Sequence, residues 1–351
     1  MTITLAQIEA DFPDMILGSN GDLDVEVSCW KSPEKGIPDS LLFLETKQAF
    51  VDGTSSQAQA MIVNVEFAEE IKKLGKSALF TKNVPLVMSK VVEKYFGWNL
   101  HRKHSGHQIH PSAQICPSAE IGQNTIIGPN VVIGENVTIG SNGFIGANSV
   151  IEDNVSIGDD CTIHPLVYIA HGCQLGNAVG IHPNTSIGSE GYGFAHDEKG
   201  QHWRIQQTGT VVLEDRVEIG SNCAIDRGSI EATVIGEGSK LDNLCHIGHN
   251  VTFGKNCMVT AGFATAGSAR FGNNFVCGGH TSSAGHLTVC DNVHVAGRSV
   301  IHNNVTEPGV YGGHPLEPVK DYLRTTKSLA QLTAMRKTLS RIAKKNGQED
   351  T

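Results

Sequence analysis

Aromatic residues are scarce in this sequence, 6 % of 351, and charged residues reach only 18 %, below the roughly 25 % usual for soluble proteins. There is no basic excess: the formal net charge is -9, which argues against a general nucleic-acid binder, since phosphate neutralisation needs a basic footprint. No apolar run approaches the ~18 residues of a membrane span. Met1–Glu9 lacks a basic start followed by an apolar stretch. The expectation is a soluble cytoplasmic protein. Nine cysteines occur without one C-x-x-C pair, an odd count that fits neither a disulfide framework nor a zinc knuckle, so reduced thiols are expected. The 39 glycines follow no every-third-residue period, which excludes collagen. The apolar share of 39 % is enough to bury a core and excludes a disordered chain.

A six-residue repeat is present instead. Counting by six from Ile109 gives Ile115, Ile121, Ile127 and onward to Leu175, Ile181 and Ile187, fourteen aliphatic positions in phase. The phase breaks at 188–212, resumes with Leu213, Ile219 and Ile225, and after a short irregularity runs from Ile235 to Ile301. Period six is neither helical nor a simple alternating strand. It suits a short strand plus a corner, three of which close a triangular coil of 18 residues. The in-phase positions predict about ten coils and, at the ~4.8 Å strand spacing, a prism roughly 45 to 50 Å long. Gly after the aliphatic and Asn nearby fit corners with unusual backbone angles. Cys161, Cys173, Cys223, Cys245 and Cys257 all fall four residues after an in-phase aliphatic. That position is expected to take a small buried side chain, and the thiols to be core packing.

Residues 1–100 lack the repeat. Leu41–Leu44 and Ala60–Val63 read as buried strands and Pro85–Tyr95 as a helix with Pro near its start, so this part is a small α/β domain. His101, His104, His107 and His110 follow in what reads as a solvated linker. The prism is expected over 101–312. Its interruption at 188–212 is an excursion of the kind that usually carries function. Residues 313–351 form a helical segment with Leu329, Leu332, Met335, Leu339 and Ile342 on one stripe. Residues 318–351 hold eight Lys/Arg against three Asp/Glu, which suits either a solvated face or an acidic partner.

Two residues after each in-phase aliphatic the chain faces outward. His249 holds that place in Ile247-Gly248-His249-Asn250, Gly267 lies one coil on, and Gly285-His286 another. Stacking places them in one external column, about 5 Å apart. Asp242, seven residues earlier and around a corner, is positioned to orient the His249 ring. A surface His on a Gly-lined strip is a candidate general base with a backbone N–H beside it for an oxyanion, although an ordinary exposed His is the plainer alternative.

The period, together with Ile187-Gly188-Ser189-Glu190-Gly191-Tyr192-Gly193-Phe194, Ile225-Asp226-Arg227-Gly228 and Asp242-Asn243-Leu244-Cys245-His246-Ile247-Gly248-His249-Asn250, resembles the UDP-3-O-(3-hydroxyacyl)glucosamine N-acyltransferase family of lipid A biosynthesis. The resemblance implies a left-handed parallel β-helix, an exception to the right-handed crossover rule, assembled as a homotrimer. It implies transfer of a 3-hydroxyacyl group from acyl carrier protein to the 2-amino group of a UDP-linked acylated glucosamine, with no metal or dissociable cofactor. By the family pattern His249 is the general base, Asp242 its orienting partner and Gly267 the oxyanion donor. His286, His246 and Phe43 are the expected substrate contacts, Phe43 against the uracil. The stretch Phe43–Phe50 departs from the pattern, with Thr46 and Ala49 where the family has Asn and Tyr. Alternatives are another hexapeptide sugar O- or N-acyltransferase, a β-helical metal enzyme, and a non-catalytic β-helical paralogue.

Overall fold

The computed structural model describes residues 2–97, 108–312 and 319–345. The chain divides into two units, Met1–Leu100 and His101–Thr351. His101, His104 and His107 lie outside the described residues.

The first unit holds a five-stranded sheet in the order Gly18–Asn20, Ser77–Thr81, Ala60–Asn64, Ser40–Leu44, Cys29–Trp30, all parallel except the first pair. Its three longer strands are almost wholly buried, as parallel strands covered on both faces must be. One face packs under the helices Leu5–Asp11 and Val84–Val91, with Leu41, Ile62 and Leu79 in that core. The other buries Leu42, Met61, Val63 and Phe80 with Ile71 of the helix Ala68–Leu74. Helix starts follow local chemistry: Thr46 accepts from Ala49 N–H and Asn83 from Leu86 N–H, with Pro85 in the first turn.

The second unit is a three-sided parallel β-helix with sheets of ten, ten and nine strands, wound in the left-handed sense that the resemblance implies. Strands are mostly two residues long and pair with their copies 18 residues on, as in Ile133, Ile151, Ile169 and Ile187. The in-phase side chains point inward and form one continuous core. The corners differ from expectation. Twelve of the 21 non-Gly residues at positive φ are Asn, three residues after the aliphatic, where a short amide tolerates the left-handed region. These amides also form ladders, as Asn130 Nδ2 donates to Asn148 Oδ1 at 3.2 Å. Most glycines that follow the aliphatic have ordinary φ. They are needed for close approach: a Cβ at Gly128 would lie 2.9 Å from Ala147 N, and one at Gly220 2.5 Å from Asn243 N.

The five cysteines are buried as expected, and burial pushes the Cys161 thiol up to about 11. The upper coils depart from the small-residue rule. Phe263 and Phe275 occupy the position four after the aliphatic and pack with Phe253 and Phe271, rings 4.6 Å apart for Phe253 and Phe271. The in-phase positions nearby are then small, Thr265, Cys277 and Ser283, so core volume is kept by exchanging large and small sites.

Two irregularities interrupt the stack. After Ile187 the chain leaves as an antiparallel hairpin, Phe194–His196 with His202–Arg204, and rejoins at Thr210, so that Ile187 pairs with Ile225 across 38 residues. The second adds four residues, since Ile225 pairs with Ile247 across 22. The two are joined: Thr208 N–H donates to Ser229 O (2.9 Å), Gly209 N–H to Gly228 O (3.0 Å) and Arg227 N–H to Ser189 O (2.9 Å). Among the described residues no helix is long and apolar enough to cross a membrane.

Candidate active site

The candidate site lies where the outward positions of successive coils are glycine. At several outward positions two after the aliphatic, the N–H is capped by an Asp or Asn one coil later. Ser141 N–H donates to Asp159 Oδ1 at 2.6 Å and Asn273 N–H to Asp291 Oδ1 at 2.8 Å. In the His249 column the capping positions are Gly267 and Gly285. Among the described residues, no side chain accepts the Gly267 N–H. The space the missing side chains would fill opens as a groove of about 610 Å³ lined by His249, His246, His286, Gly267, Asp226 and Tyr192, among others.

His249 is held between two glycines. A Cβ on Gly267 would sit 2.5 Å from its Nε2 and Cε1, and one on Gly191 would sit 2.8 Å from its Cβ. His286 occupies a corner with φ +56° and donates its N–H to Gly267 O at 3.1 Å. The expected column of His249, Gly267 and His286, with His246, is therefore assembled in one groove.

Two expected residues make other contacts within their own units. The Asp242 carboxylate accepts from Asn243 N–H (2.7 Å) and Ala261 N–H (3.2 Å) and lines a different groove with His182, Lys240 and Met258. It does not orient His249 within the protomer, because the corner between them turns it onto another sheet. Phe43 is 9 % exposed and belongs to the core under the Val84–Val91 helix, with the Trp30 ring edge-on at 6.4 Å. An enclosed ring of this kind is not presented for stacking on a base. Thr46 is spent as the helix cap of the next element.

The carboxylate that does face the groove is Asp226. It is buried, accepts from Ser189 Oγ at 3.1 Å and lies 3.9 Å from His246 Nε2. Burial raises its carboxyl above the ordinary range, opposed by the nearby His246, the Ser189 hydroxyl and His249. A sequence signal existed. Asp226 occupies the place directly after the aliphatic, which is Ala170, Gly188, Gly248, Ala266 and Ala284 in neighbouring coils of that sheet. Tyr192, 85 % exposed at the rim, could be expected from the interruption, but its place over the groove could not.

Arg227 next to it is 1 % exposed. Its guanidinium donates to Gly188 O (2.9 Å), His171 O (2.7 Å) and His171 Nε2 (2.6 Å). Because Arg can only donate, the His171 proton lies on Nδ1, 3.4 Å from Glu152 Oε2. Burial opposes it, but hydrogen bonds from the Tyr168 hydroxyl and the His171 N–H and ring hold Glu152 below the ordinary carboxylate value. The buried cation is thus connected to a carboxylate through one imidazole, and it ties the start of the insertion at Gly188 to His171 of the preceding coil.

The three-sided prism of hexapeptide coils thus carries a histidine on a bare-amide glycine strip. The sequence profile described as Bacterial transferase hexapeptide (six repeats) matches residues 105–135, 118–153 and 154–189. Over about half of its length the chain is similar to curated proteins named UDP-3-O-acylglucosamine N-acyltransferase. It is similar to the proteins of that name from Methylococcus capsulatus (38 % identical over 172 residues, 49 % of this chain and 48 % of the relative) and Wolinella succinogenes (40 % over 170 residues, 48 % and 54 %). The chain spans about half the length of the curated relatives it matches. Among solved structures, a UDP-N-acetylglucosamine acyltransferase from Bacteroides fragilis is similar at 25 % identity over 59 % of this chain and 71 % of that one, with a TM-score of 0.46.

Proposed function

We propose that this protein transfers a 3-hydroxyacyl group from acyl carrier protein to the 2-amino group of a UDP-linked, 3-O-acylated glucosamine, a step of lipid A biosynthesis. The observation that carries this reading is His249 against Gly267, whose N–H no described side chain accepts. His249 Nε2 takes a proton from the amine as the nitrogen attacks the thioester carbon. The carbonyl oxygen becomes an oxyanion beside the Gly267 N–H. Collapse forms the amide, breaks the carbon–sulfur bond and returns the proton from the imidazolium to the departing thiolate. Asp226 supplies negative charge near the imidazolium, and His246 and His286 contact substrate along the groove. Within one protomer Asp242 does not reach His249, and this mechanism assigns no step to it or to Phe43.

The eight Lys/Arg of 318–351 suit an acidic carrier. A homotrimer is supported by the helix Val319–Lys345, on which Leu323, Leu329, Leu332, Met335, Leu339 and Ile342 are each at least half exposed. The test is mass spectrometry of products from the UDP-aminosugar with a ladder of hydroxyacyl carrier proteins. His249→Ala should abolish amide formation and leave the assembly intact; near-normal turnover in that variant would overturn the assignment. The enclosed Phe43 favours a second reading, transfer to a sugar acceptor without uridine recognition by that ring, and the same assay with non-nucleotide aminosugars separates the two.

A further inference from the structure

The base needs one tautomer, and the surroundings of His249 Nδ1 determine which. Asn250 Oδ1 lies 3.1 Å from Nδ1. Its orientation is set, because the same oxygen accepts the Ser229 N–H at 2.9 Å, and a backbone N–H can only donate. The second neighbour is Ser229 Oγ at 3.4 Å. A hydroxyl can act either way, but this one donates to Gln207 Oε1 at 2.7 Å. Gln207 is 5 % exposed, and its Nε2 donates to Ile205 O at 3.3 Å, which leaves Oε1 as the acceptor. With its proton committed, Ser229 Oγ presents only lone pairs to the ring. Nδ1 therefore faces two acceptors and carries the hydrogen, and the lone pair of the neutral ring is on Nε2, against Gly267.

We propose that Gln207 and Ser229 are positioning residues that hold His249 in its Nδ1–H form, so that the two interruptions of the repeat prepare the base. Gln207 comes from the return of the hairpin insertion and Ser229 from the four-residue irregularity. The orienting role given in many enzymes to a carboxylate is here played by a neutral amide, a serine and a glutamine. The inference rests on His249 being the base, but the tautomer itself can be read without turnover.

The experiment uses imidazole-¹⁵N-labelled full chain at a pH where the ring is neutral, with the His249 signal identified by its loss in His249→Gln. The expected spectrum has pyrrole-type Nδ1 and pyridine-type Nε2; a pyrrole-type Nε2 overturns the proposal. Gln207→Met removes the acceptor and frees the Ser229 hydroxyl to donate to Nδ1. The signal should shift toward the Nε2–H form, and kcat should fall about tenfold or more with KM little changed. Adding Ser229→Ala to Gln207→Met removes the errant donor and should return both tautomer and kcat toward the parent. A merely structural role predicts the opposite, a double variant at least as impaired as the single one. Failure of that rescue in a variant with parental Tm also overturns the proposal. If the parent shows the expected tautomer yet makes no amide product, the functional reading falls and the lock stands.

Discussion

At the residue scale, the site depends on what Gly267 lacks. Its backbone is in no special φ region, so alanine is allowed conformationally, but the added methyl would lie 2.5 Å from His249 Nε2. Gly267→Ala should cut kcat about 100-fold or more through displacement of the ring, with Tm nearly unchanged; parental turnover would show that the ring does not need this approach. Asp226 has a pH signature. Burial raises its folded-state pKa, so the ionised carboxylate costs stability that is regained as pH falls through the folded value. Asp226→Asn should therefore be at least as stable as the parent near neutrality, and should lose that part of the parent's gain on mild acidification. Thermal melts of both across pH check the sign. The groups facing it are Ser189, His246 and His249.

At the element scale, the hairpin insertion is an extension of the site, secured by Arg227. Replacing it with Met would strand two backbone carbonyls and His171 Nε2, at a cost on the order of 3 kcal/mol. Arg227→Met should lower the unfolding midpoint and speed hydrogen exchange in 188–209, while strands such as Val132–Ile133 keep their protection. Equal loosening along the whole prism would contradict this local role. The coils themselves tolerate exchange of large and small core residues, as the phenylalanine cluster shows, because each side chain touches only its own coil and its neighbours.

At the scale of the whole molecule, two units have separate cores, one split across a five-stranded sheet and one running the length of the prism. Each should fold alone. Separately expressed 1–100 and 101–351 are expected to unfold cooperatively, by circular dichroism, at midpoints close to transitions of the full chain. Fragments without a cooperative transition would show that the cores are interdependent. The low charge fraction has a cause at this scale: like charges on an outer face would repeat every ~5 Å up the stack.

The sequence by itself determined the prism, because a period of six repeated over ten coils leaves one way to bury the aliphatics, and it also placed His249, Gly267 and His286 in one column. It located both interruptions. Tertiary structure decided what they do. Neither the contact of Gln207 with Ser229, nor that of Ser229 with His249, follows from spacing, since a hairpin and a bulge must first pack together. For the same reason Asp242, near in sequence, is turned away by a corner, and Asp226, a coil earlier, is the carboxylate that reaches the groove. Phe43 lies on a strand that reads as buried, and the packing of two helices over that face encloses it. Repetition fixes geometry within the repeat; side chains that meet across its breaks are set by the packing of those breaks alone.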